Sequence, residues 1–347
     1  MSSVTIKDIA REAKVSVATV SRALNHASCV TDAMQERVIA AANKLGYVPN
    51  SVAKSLKTNS THTIGVVLSD ISNPDYISIT RTIEDVVGKE DYSLIMCSTG
   101  DQKNRELNYL QMLFSKNIDA LILNTTELNN DFVLKMSERI PILLLNRPIN
   151  DSAFKGDFIT TDSYMGTYML TKQLLSLGHR RIYVIQGPPQ LTNNKERFQA
   201  FLDAMQEAGN PVDKDYPYIY TGEFTPQSGV EAVKKLWEMD PLPTAILTLS
   251  NMPMLGVLRE IRRGPYNIRI PEDISLATYD SLPNMELLSI RPTTAQFDNV
   301  AIGLKCARTI LERIKDPTRL NRKFLFEPTI ISGNSVGLPR PENALNI

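Results

Sequence analysis

Apolar residues recur along this chain in two different rhythms. Over the first fifty residues they fall at helical spacing: Ile6, Ile9, Ala10 and Ala13 form one stripe, Val20 and Leu24 a second, and Met34, Val38, Ala41 and Leu45 a third. Each stripe carries its own punctuation. Thr5 and Asp8 have capping-box spacing, which predicts a short helix over 6–13. Lys14 and Val15 make a turn, and Ser16 N-caps a second helix through Ala23 or Leu24. A third helix begins after Thr31 and is stopped by Gly46 and Pro49.

From Thr63 the rhythm changes to short continuous apolar runs separated by amphipathic stretches. One series reads TIGVVLS (63–69), YSLIMCS (92–98), IDALILN (118–124) and IPILLLN (140–146). A second reads RIYVIQG (181–187), PYIYTG (217–222), TAILTLS (244–250) and ISLATYD (274–280). Strands alternating with helices imply parallel sheets covered by helices, and two series imply two similar lobes. Ligands of such sheets sit beyond the carboxyl ends of the strands.

Composition sharpens this picture. At 347 residues the chain has room for two or three compact units. Its 38 basic and 38 acidic residues cancel, but residues 1–60 carry a net charge of +4 and the remainder −4. That asymmetry suits a polyanion-binding head on an acidic body. Cys29, Cys97 and Cys306 are far apart with no CxxC spacing, against a disulfide framework or a zinc site and in keeping with a reducing cytoplasm. The N-terminus has no secretory pattern, and no apolar run approaches the ~18 residues of a membrane span.

Two short helices joined by a tight turn and buttressed by a third form the helix-turn-helix arrangement, whose second helix enters the major groove. Val15, Val20 and Leu24 then belong to its core, while Val17, Ala18, Ser21 and Arg22 point outward. Hydroxyls of Ser16, Thr19 and Ser21 suit phosphate oxygens, Arg22 suits guanine O6 and N7, and Val17 and Ala18 suit thymine methyls. An ordinary helical hairpin shares the bare pattern. The segment YVPNSVAKSLK (47–57) narrows the choice: after Pro49 it reads as a short helix capped by Asn50, with Val52, Ala53 and Leu56 on one face. So short a helix needs a partner to fold against, and apolar wedges between minor-groove base steps are one known use of it.

VTIKDIAREAKVSVATVSRALN and RVIAAANKLGYVPNSVAKSLK together resemble the head of the LacI/GalR family of bacterial transcription repressors, from Val4 to Lys57. The Val17–Ala18 pair is similar to the reading residues of the galactose-type branch. Lys14 departs from a frequent glycine and implies a left-handed residue at a cost of roughly 1–2 kcal/mol. The resemblance implies DNA contacts from Thr5, Ser16, Val17, Ala18, Thr19, Ser21, Arg22, Asn25 and Tyr47. It also implies a hinge helix over Asn50–Lys57 that forms on operator DNA, with Asn50, Ala53, Leu56 and Lys57 in contact and Leu56 as the wedge.

The body resembles the same family more loosely, to about residue 337, through SDISNPDY (69–76), LLLNRP (143–148), TTDSYMGTYMLTKQLLSLGHRRIYVIQG (160–187), KERFQAF (195–201), GEFTPQSGVEA (222–232) and YDSLPNMELLSIRPTT (279–294). The implied fold class is an all-α helix-turn-helix head (1–48) and hinge (49–61) on a two-lobed α/β core (62–347) like the type I periplasmic binding proteins. The lobes are expected over 62–160 with 292–321 and over 161–291 with 322–347, with crossovers near 161, 291 and 322. A last helix over 298–314 is expected to return to the first lobe. The family acts as homodimers on a double-stranded DNA operator. The tail GLPRPENALNI lacks the heptads of a tetramerising end, so a dimer is expected. A branch of the family also takes a phosphorylated carrier protein as co-effector, which nothing here indicates.

Position by position, the resemblance nominates Asn73, Asp75, Tyr76, Arg147, Asp162, Arg197, Phe224, Asn251 and Asp280 for an effector cleft. Carboxylate, amide and guanidinium groups bridge adjacent hydroxyls and aromatic rings supply flat faces, so a sugar or sugar derivative is expected. Asp162 and Asp280, at strand ends, also suit helix caps, and Arg147 and Arg197 suit surface ion pairs. Asn251 stands where sugar-binding relatives usually carry aspartate. Pro292, Phe297 and Asp298 replace a leucine and a Gln-Pro pair. One carboxylate fewer beside two arginines tilts the expectation toward a sugar acid or sugar phosphate. No GxSxG, GxxxxGK[ST], HExxH or CxxC occurs, and His26, His62 and His179 are isolated, so neither an enzyme nor a cofactor is expected. The competing reading is a cytoplasmic sugar-binding or sugar-converting protein with an incidental hairpin.

Overall fold

The computed structural model describes residues 4–24, 30–47, 60–264 and 267–341. The chain divides into two compact units, residues 1–61 and 62–347. In the first, α1 (Ile6–Glu12), α2 (Val17–Leu24) and α3 (Asp32–Leu45) pack around Ile9, Val20, Ala23 and Val38, all fully buried, with Val15 and Leu24 half-buried against them. The caps arise from the residues that suggested them. Asp8 Oδ2 accepts from Thr5 N (2.9 Å) and Thr5 Oγ1 (2.7 Å), and Ser16 Oγ accepts from Thr19 N at 3.1 Å. Lys14 is left-handed at φ 51°, and Gly46, at φ 64°, closes α3.

The second unit holds two six-stranded sheets. The first lobe contains β1 (Thr63–Leu68), α4 (Pro74–Val87), β2 (Ser93–Ser98), α5 (Lys103–Ser115), β3 (Ala120–Leu123), α6 (Asn130–Ser137), β4 (Ile142–Leu145) and β5 (Asp157–Thr161). The second contains α7 (Ser163–Ser176), β6 (Ile182–Gln186), α8 (Thr192–Glu207), β7 (Ile219–Thr221), α9 (Pro226–Leu236), β8 (Ala245–Thr248), α10 (Asn251–Arg263), β9 (Ser275–Tyr279) and β10 (Thr293–Gln296). The chain then returns through α11 (Asn299–Lys315) and β11 (Lys323–Phe326) to the first lobe and ends with β12 (Thr329–Ile331) in the second. Strand orders are β11-β5-β4-β3-β1-β2 and β12-β10-β9-β8-β6-β7, and only β12 runs antiparallel to its neighbour.

All eight apolar runs form strands. The strands β3, β4, β6, β8 and β9 are buried along their whole length, because helices cover both faces of a parallel sheet. The four strands beside the crossovers lack that signature: β5 and β10 read DFITT and TTAQ, and β11 and β12 lie at sheet edges. Two crossovers therefore fall later than expected. Residues 293–295 pair with β9 in the second sheet, moving the crossover from near 291 to 296–299. Residues 323–326 pair with β5 in the first sheet, moving the other from near 322 to 326–329. The physical reason is sheet completion, since each returning segment satisfies the open edge of the sheet it reaches.

The last helix returns to the first lobe as expected and packs on α4, where Gly303 lets it close on the Ile79 carbonyl and Thr82. Below the crossovers one buried ion cluster joins three distant segments. Asp157, fully buried, accepts from Arg313 Nε (2.8 Å) and Nη2 (3.0 Å) and from Arg322 N (3.0 Å) and Nε (3.2 Å). His179 is a structural residue, fully buried between Thr244 Oγ1 (2.8 Å) and the Gly337 carbonyl (3.0 Å). Asp157→Ala leaves the buried Arg313 guanidinium without its counter-charge and is expected to cost about 3 kcal/mol or more. A denaturant midpoint for the body equal to that of the parent chain would exclude this role for the cluster.

Candidate functional site

A cavity of about 360 Å³ opens between the lobes at the carboxyl ends of β1, β2, β4, β5, β7, β8, β9 and β10. Its first-lobe wall is made by loop residues and the start of α4. Asn73 caps α4 by accepting from Asp75 N at 3.0 Å, with Pro74 in the first turn, which sets the Asp75 carboxyl and the Tyr76 ring at the gap. Arg147 follows β4 and is almost fully buried. It donates from Nη1 and Nη2 to the two oxygens of Asp101, the second contact at 3.2 Å, and from Nη1 to the Thr125 carbonyl at 3.0 Å. On the second-lobe wall, the Arg197 guanidinium of α8 lies 3.5 Å from the centroid of Tyr279 and donates to the Leu249 carbonyl at 2.7 Å. The Phe224 ring lies over Gly187, where any Cβ would collide with it.

Asn251, at the start of α10, joins the walls. Its Nδ2 donates to Asp75 Oδ2 (2.9 Å), to Asn73 Oδ1 (3.3 Å) and to the Ser281 carbonyl (3.0 Å), and its Oδ1 accepts from Asn73 Nδ2 at 3.2 Å. Asn299 Nδ2 donates to the other Asp75 oxygen at 2.6 Å. Aspartate at 251 would set a second carboxylate against Asp75, whereas the amide donates to it.

The cavity wall carries five acids, Asp70, Asp75, Asp101, Glu223 and Asp280, against three arginines, Arg105, Arg147 and Arg197. Burial raises the Asp75 carboxyl to about 6, opposed by the Asn299 hydrogen bond and the Arg197 charge. Burial and the Asp75 charge push Asp280 up to about 8, opposed by Arg197. Two carboxyls facing one guanidinium cannot both ionise at low cost, so near neutral pH the pair holds a proton. Arg147 Nε and Arg197 Nε are buried and have no acceptor among the described residues.

Seven of the nine nominated residues line this cavity: Asn73, Asp75, Tyr76, Arg147, Arg197, Phe224 and Asp280. Two do not. Asn251 is fully buried in the contact just described. Asp162 caps α7, accepting from Met165 N at 2.8 Å, and borders a neighbouring cavity of about 530 Å³. Asp280 is no cap and Arg147 no surface pair: both sit in the wall, Asp280 left-handed at φ 66°. Sequence reading missed Asp101, Asn146, Asn193, Glu223 and Asn299. Asp101 and Asn146 follow β2 and β4, where the rule about carboxyl ends of strands would have found them. Phe297, a noted departure, packs on Tyr279 with centroids 5.4 Å apart, and Asp298 caps α11.

In the head, Val17 (45% exposed), Ala18 and Arg22 share the open face of α2, while Ser16 and Thr19 hydroxyls lie 2.8 Å apart. Ser21 and Tyr47 are half-buried and Thr5 is exposed. Asn25, Asn50, Ala53, Leu56 and Lys57 lie outside the described residues.

A helix-turn-helix head followed by a two-lobed body with a ligand-sized interlobe cavity defines a DNA-binding regulator with an effector-binding domain. Comparison with known proteins supplies the particular family. The profile described as "Bacterial regulatory proteins, lacI family" matches residues 5–50, and "Periplasmic binding proteins and sugar binding domain of LacI family" matches residues 61–326. The chain belongs to the LacI family, whose members are transcriptional regulators and not enzymes. The HTH-type transcriptional repressor PurR of Actinobacillus pleuropneumoniae serotype 3 is 33% identical over 335 residues, covering 96% of this chain and 98% of that protein. The fold is similar to that of the lac repressor dimer bound to operator and the anti-inducer ONPF (TM-score 0.80, 22% identity, 97% and 100% of the two chains covered). It is also similar to that of the transcriptional regulator CelR in its cellobiose complex (TM-score 0.69, 25% identity, 96% and 99% covered).

The raised acid pair has a consequence for stability. In the unfolded chain both carboxyls ionise near pH 4, so their contribution to the folded state is fully present below that value. It is lost as pH rises toward 8. Asp280→Asn, an exchange a left-handed site tolerates, is expected to flatten this dependence and raise the melting temperature at pH 8 by roughly 2–4 °C per kcal/mol relieved. Calorimetric scans at pH 5 and pH 8 read it; an equally steep profile in the variant would remove the pair from the account.

Proposed function

We propose that this chain represses genes of carbohydrate metabolism, binding a pseudo-palindromic operator as a homodimer in the cytoplasm and switched by a neutral sugar in the interlobe cavity. The observation that carries the sugar class is the charge arrangement of the wall. Asp101 already neutralises Arg147, and Arg197 faces two carboxyls. With five acids against three arginines, two of which already face carboxyls, the wall disfavours the sugar acids and sugar phosphates that the loss of an aspartate at 251 suggested. It retains hydroxyl-bridging groups on both lobes and the faces of Phe224 and Tyr76. The cellobiose bound by CelR, a protein of similar fold, supports the same class.

In this reading residues 1–48 are the DNA-binding head, 49–61 the hinge and 62–347 the effector and dimerisation core. Val17, Ala18 and Arg22 read bases, and Ser16, Thr19 and Ser21 meet phosphates. Asn25, Tyr47, Thr5 and the hinge residues Asn50, Ala53, Leu56 and Lys57 complete the contact. The dimer is supported by an apolar margin on the first lobe: β2 is an edge strand with Met96 45% exposed, next to α4 with Ile77 51% exposed.

Selection of genomic fragments by the purified protein at fixed near-physiological salt is expected to return half-sites about one helical turn apart. Arg22→Ala should weaken specific binding by about 1–3 kcal/mol, or roughly 5- to 150-fold, while leaving the cavity's ligand affinity unchanged. Calorimetric titration with neutral sugars, sugar acids and nucleobases should give heat with a neutral sugar, weakened at least about tenfold in Phe224→Ala. Strong binding of a nucleobase alone would end the carbohydrate reading.

A further inference from the structure

Helix α8 carries Asn193 and Arg197 to the cavity, yet it starts without a side-chain cap of its own. Its N-cap position is Leu191, apolar and buried, which offers no acceptor to the first turn. The acceptor comes from the other lobe. Glu127, in the loop after β3, accepts the Thr192 backbone N–H at 2.9 Å on Oε1 and the Thr192 hydroxyl at 2.6 Å on Oε2. We propose that Glu127 is a closure clasp: a positioning residue that caps α8 only while the lobes are together, and so tunes the closed state on which effector control of DNA binding depends.

The loop that presents Glu127 is built to hold it in place. Glu127 is left-handed at φ 63°, a conformation that glycine adopts freely and glutamate does not. Its own N–H donates to Thr125 Oγ1 at 2.9 Å. The fully buried Glu106 carboxylate accepts from Thr126 N and, at 3.1 Å, from Asn129 Nδ2, fixing both sides of the turn. A negative group at a helix N-terminus gains both from the unpaired amides there and from the helix dipole. The carboxylate therefore has a specific and directional reason to meet α8.

Both halves of the clasp connect to the cavity wall. On the first lobe, Arg147 donates to the Thr125 carbonyl, two residues before Glu127. On the second, Arg197 lies on α8 itself, little more than one turn after Thr192. A ligand touching either arginine thus acts on the loop or on the helix that the clasp joins. The interaction exists only when the lobes meet, which is the property a group must have to bias a closure equilibrium. The Asn251–Asp75 contact provides a second point of closure, so losing one clasp opens the lobes in part without separating them.

The test uses the full-length protein. Glu127→Gly removes the carboxylate together with the left-handed strain, and Glu127→Ala removes the carboxylate alone. Thr192→Val deletes the hydroxyl and keeps the N–H. Hydrogen–deuterium exchange is expected to speed up about tenfold at the first-turn amides of α8 in both Glu127 variants, less in Thr192→Val, with a larger radius of gyration in small-angle scattering. Thermal stability of Glu127→Gly should match or exceed that of Glu127→Ala, the reverse of what loss of ordinary packing would give. Unchanged α8 exchange and radius in both Glu127 variants would overturn the clasp. The regulatory consequence rests on the repressor reading and is scored separately. With a fragment enriched by the parent protein, Glu127→Gly should shift affinity at least fivefold at constant salt; opened lobes with unchanged affinity would overturn the clasp's part in regulation. If the parent enriches no fragment, the repressor reading fails while the exchange and scattering still decide whether Glu127 holds the lobes together.

Discussion

The organising constraint is that two parallel sheets present their carboxyl ends to one narrow gap. Each strand that stops there turns its chain over a short, polar loop, and helix N-termini with unpaired amides arrive at the same place. Four of those loops bend through a left-handed non-glycine residue: Asp101, Glu127, Asn146 and Asp280. Such strain persists only where the surroundings over-determine it, and here three of the four face polar groups brought from elsewhere in the chain. Asp101 holds Arg147, Asp280 faces Arg197, and Glu127 caps the helix opposite. The gap is therefore lined by hydrogen bonds and charges from both lobes, and Glu127–Thr192 and Asn251–Asp75 cross between them.

Removing such groups from water makes their charge states interdependent. Asp75 and Asp280 compete for one guanidinium, and burial disfavours a second negative charge, so one proton stays with the pair. Asparagine at 251 fits this circuit where aspartate would not, because its amide donates to Asp75 and to the Ser281 carbonyl. A substitution that looks in sequence like the loss of a ligand-binding carboxylate becomes, in the folded body, a bond between the lobes. The same wall carries more acids than arginines, and the proposed neutral, hydroxyl-rich ligand rests on that excess.

In the head, local signals sufficed. The cap at Ser16, the box of Thr5 with Asp8, the left-handed turns at Lys14 and Gly46 and the division of α2 into buried Val20 and exposed Val17, Ala18 and Arg22 all follow from spacing within a few residues. Three short helices have few alternative packings, so local preference and tertiary structure agree. The central strands were legible for a related reason. A strand covered on both faces must be apolar throughout, and a run such as ILLL admits little else.

The crossovers and the roles of individual polar residues were not legible in this way. DFITT and TTAQ carry no apolar run, and which sheet they join depends on which edge remains open after the other strands have paired. Asp162 and Asp280 look equivalent as acids at strand ends, yet one caps a helix and the other enters the cavity wall. Glu127 and Thr192 are 65 residues apart, and neither belongs to a motif. The sequence by itself determined the helix-turn-helix head and the doubled parallel-sheet body, because those depend on periodicity, while the family resemblance brought seven nominated residues to the cavity. Only the tertiary structure decided where the lobes exchange strands, that the Asp75–Asp280 pair keeps a proton and which side chains join the lobes, because hydrogen bonds and Coulomb interactions act between groups that folding alone brings within reach.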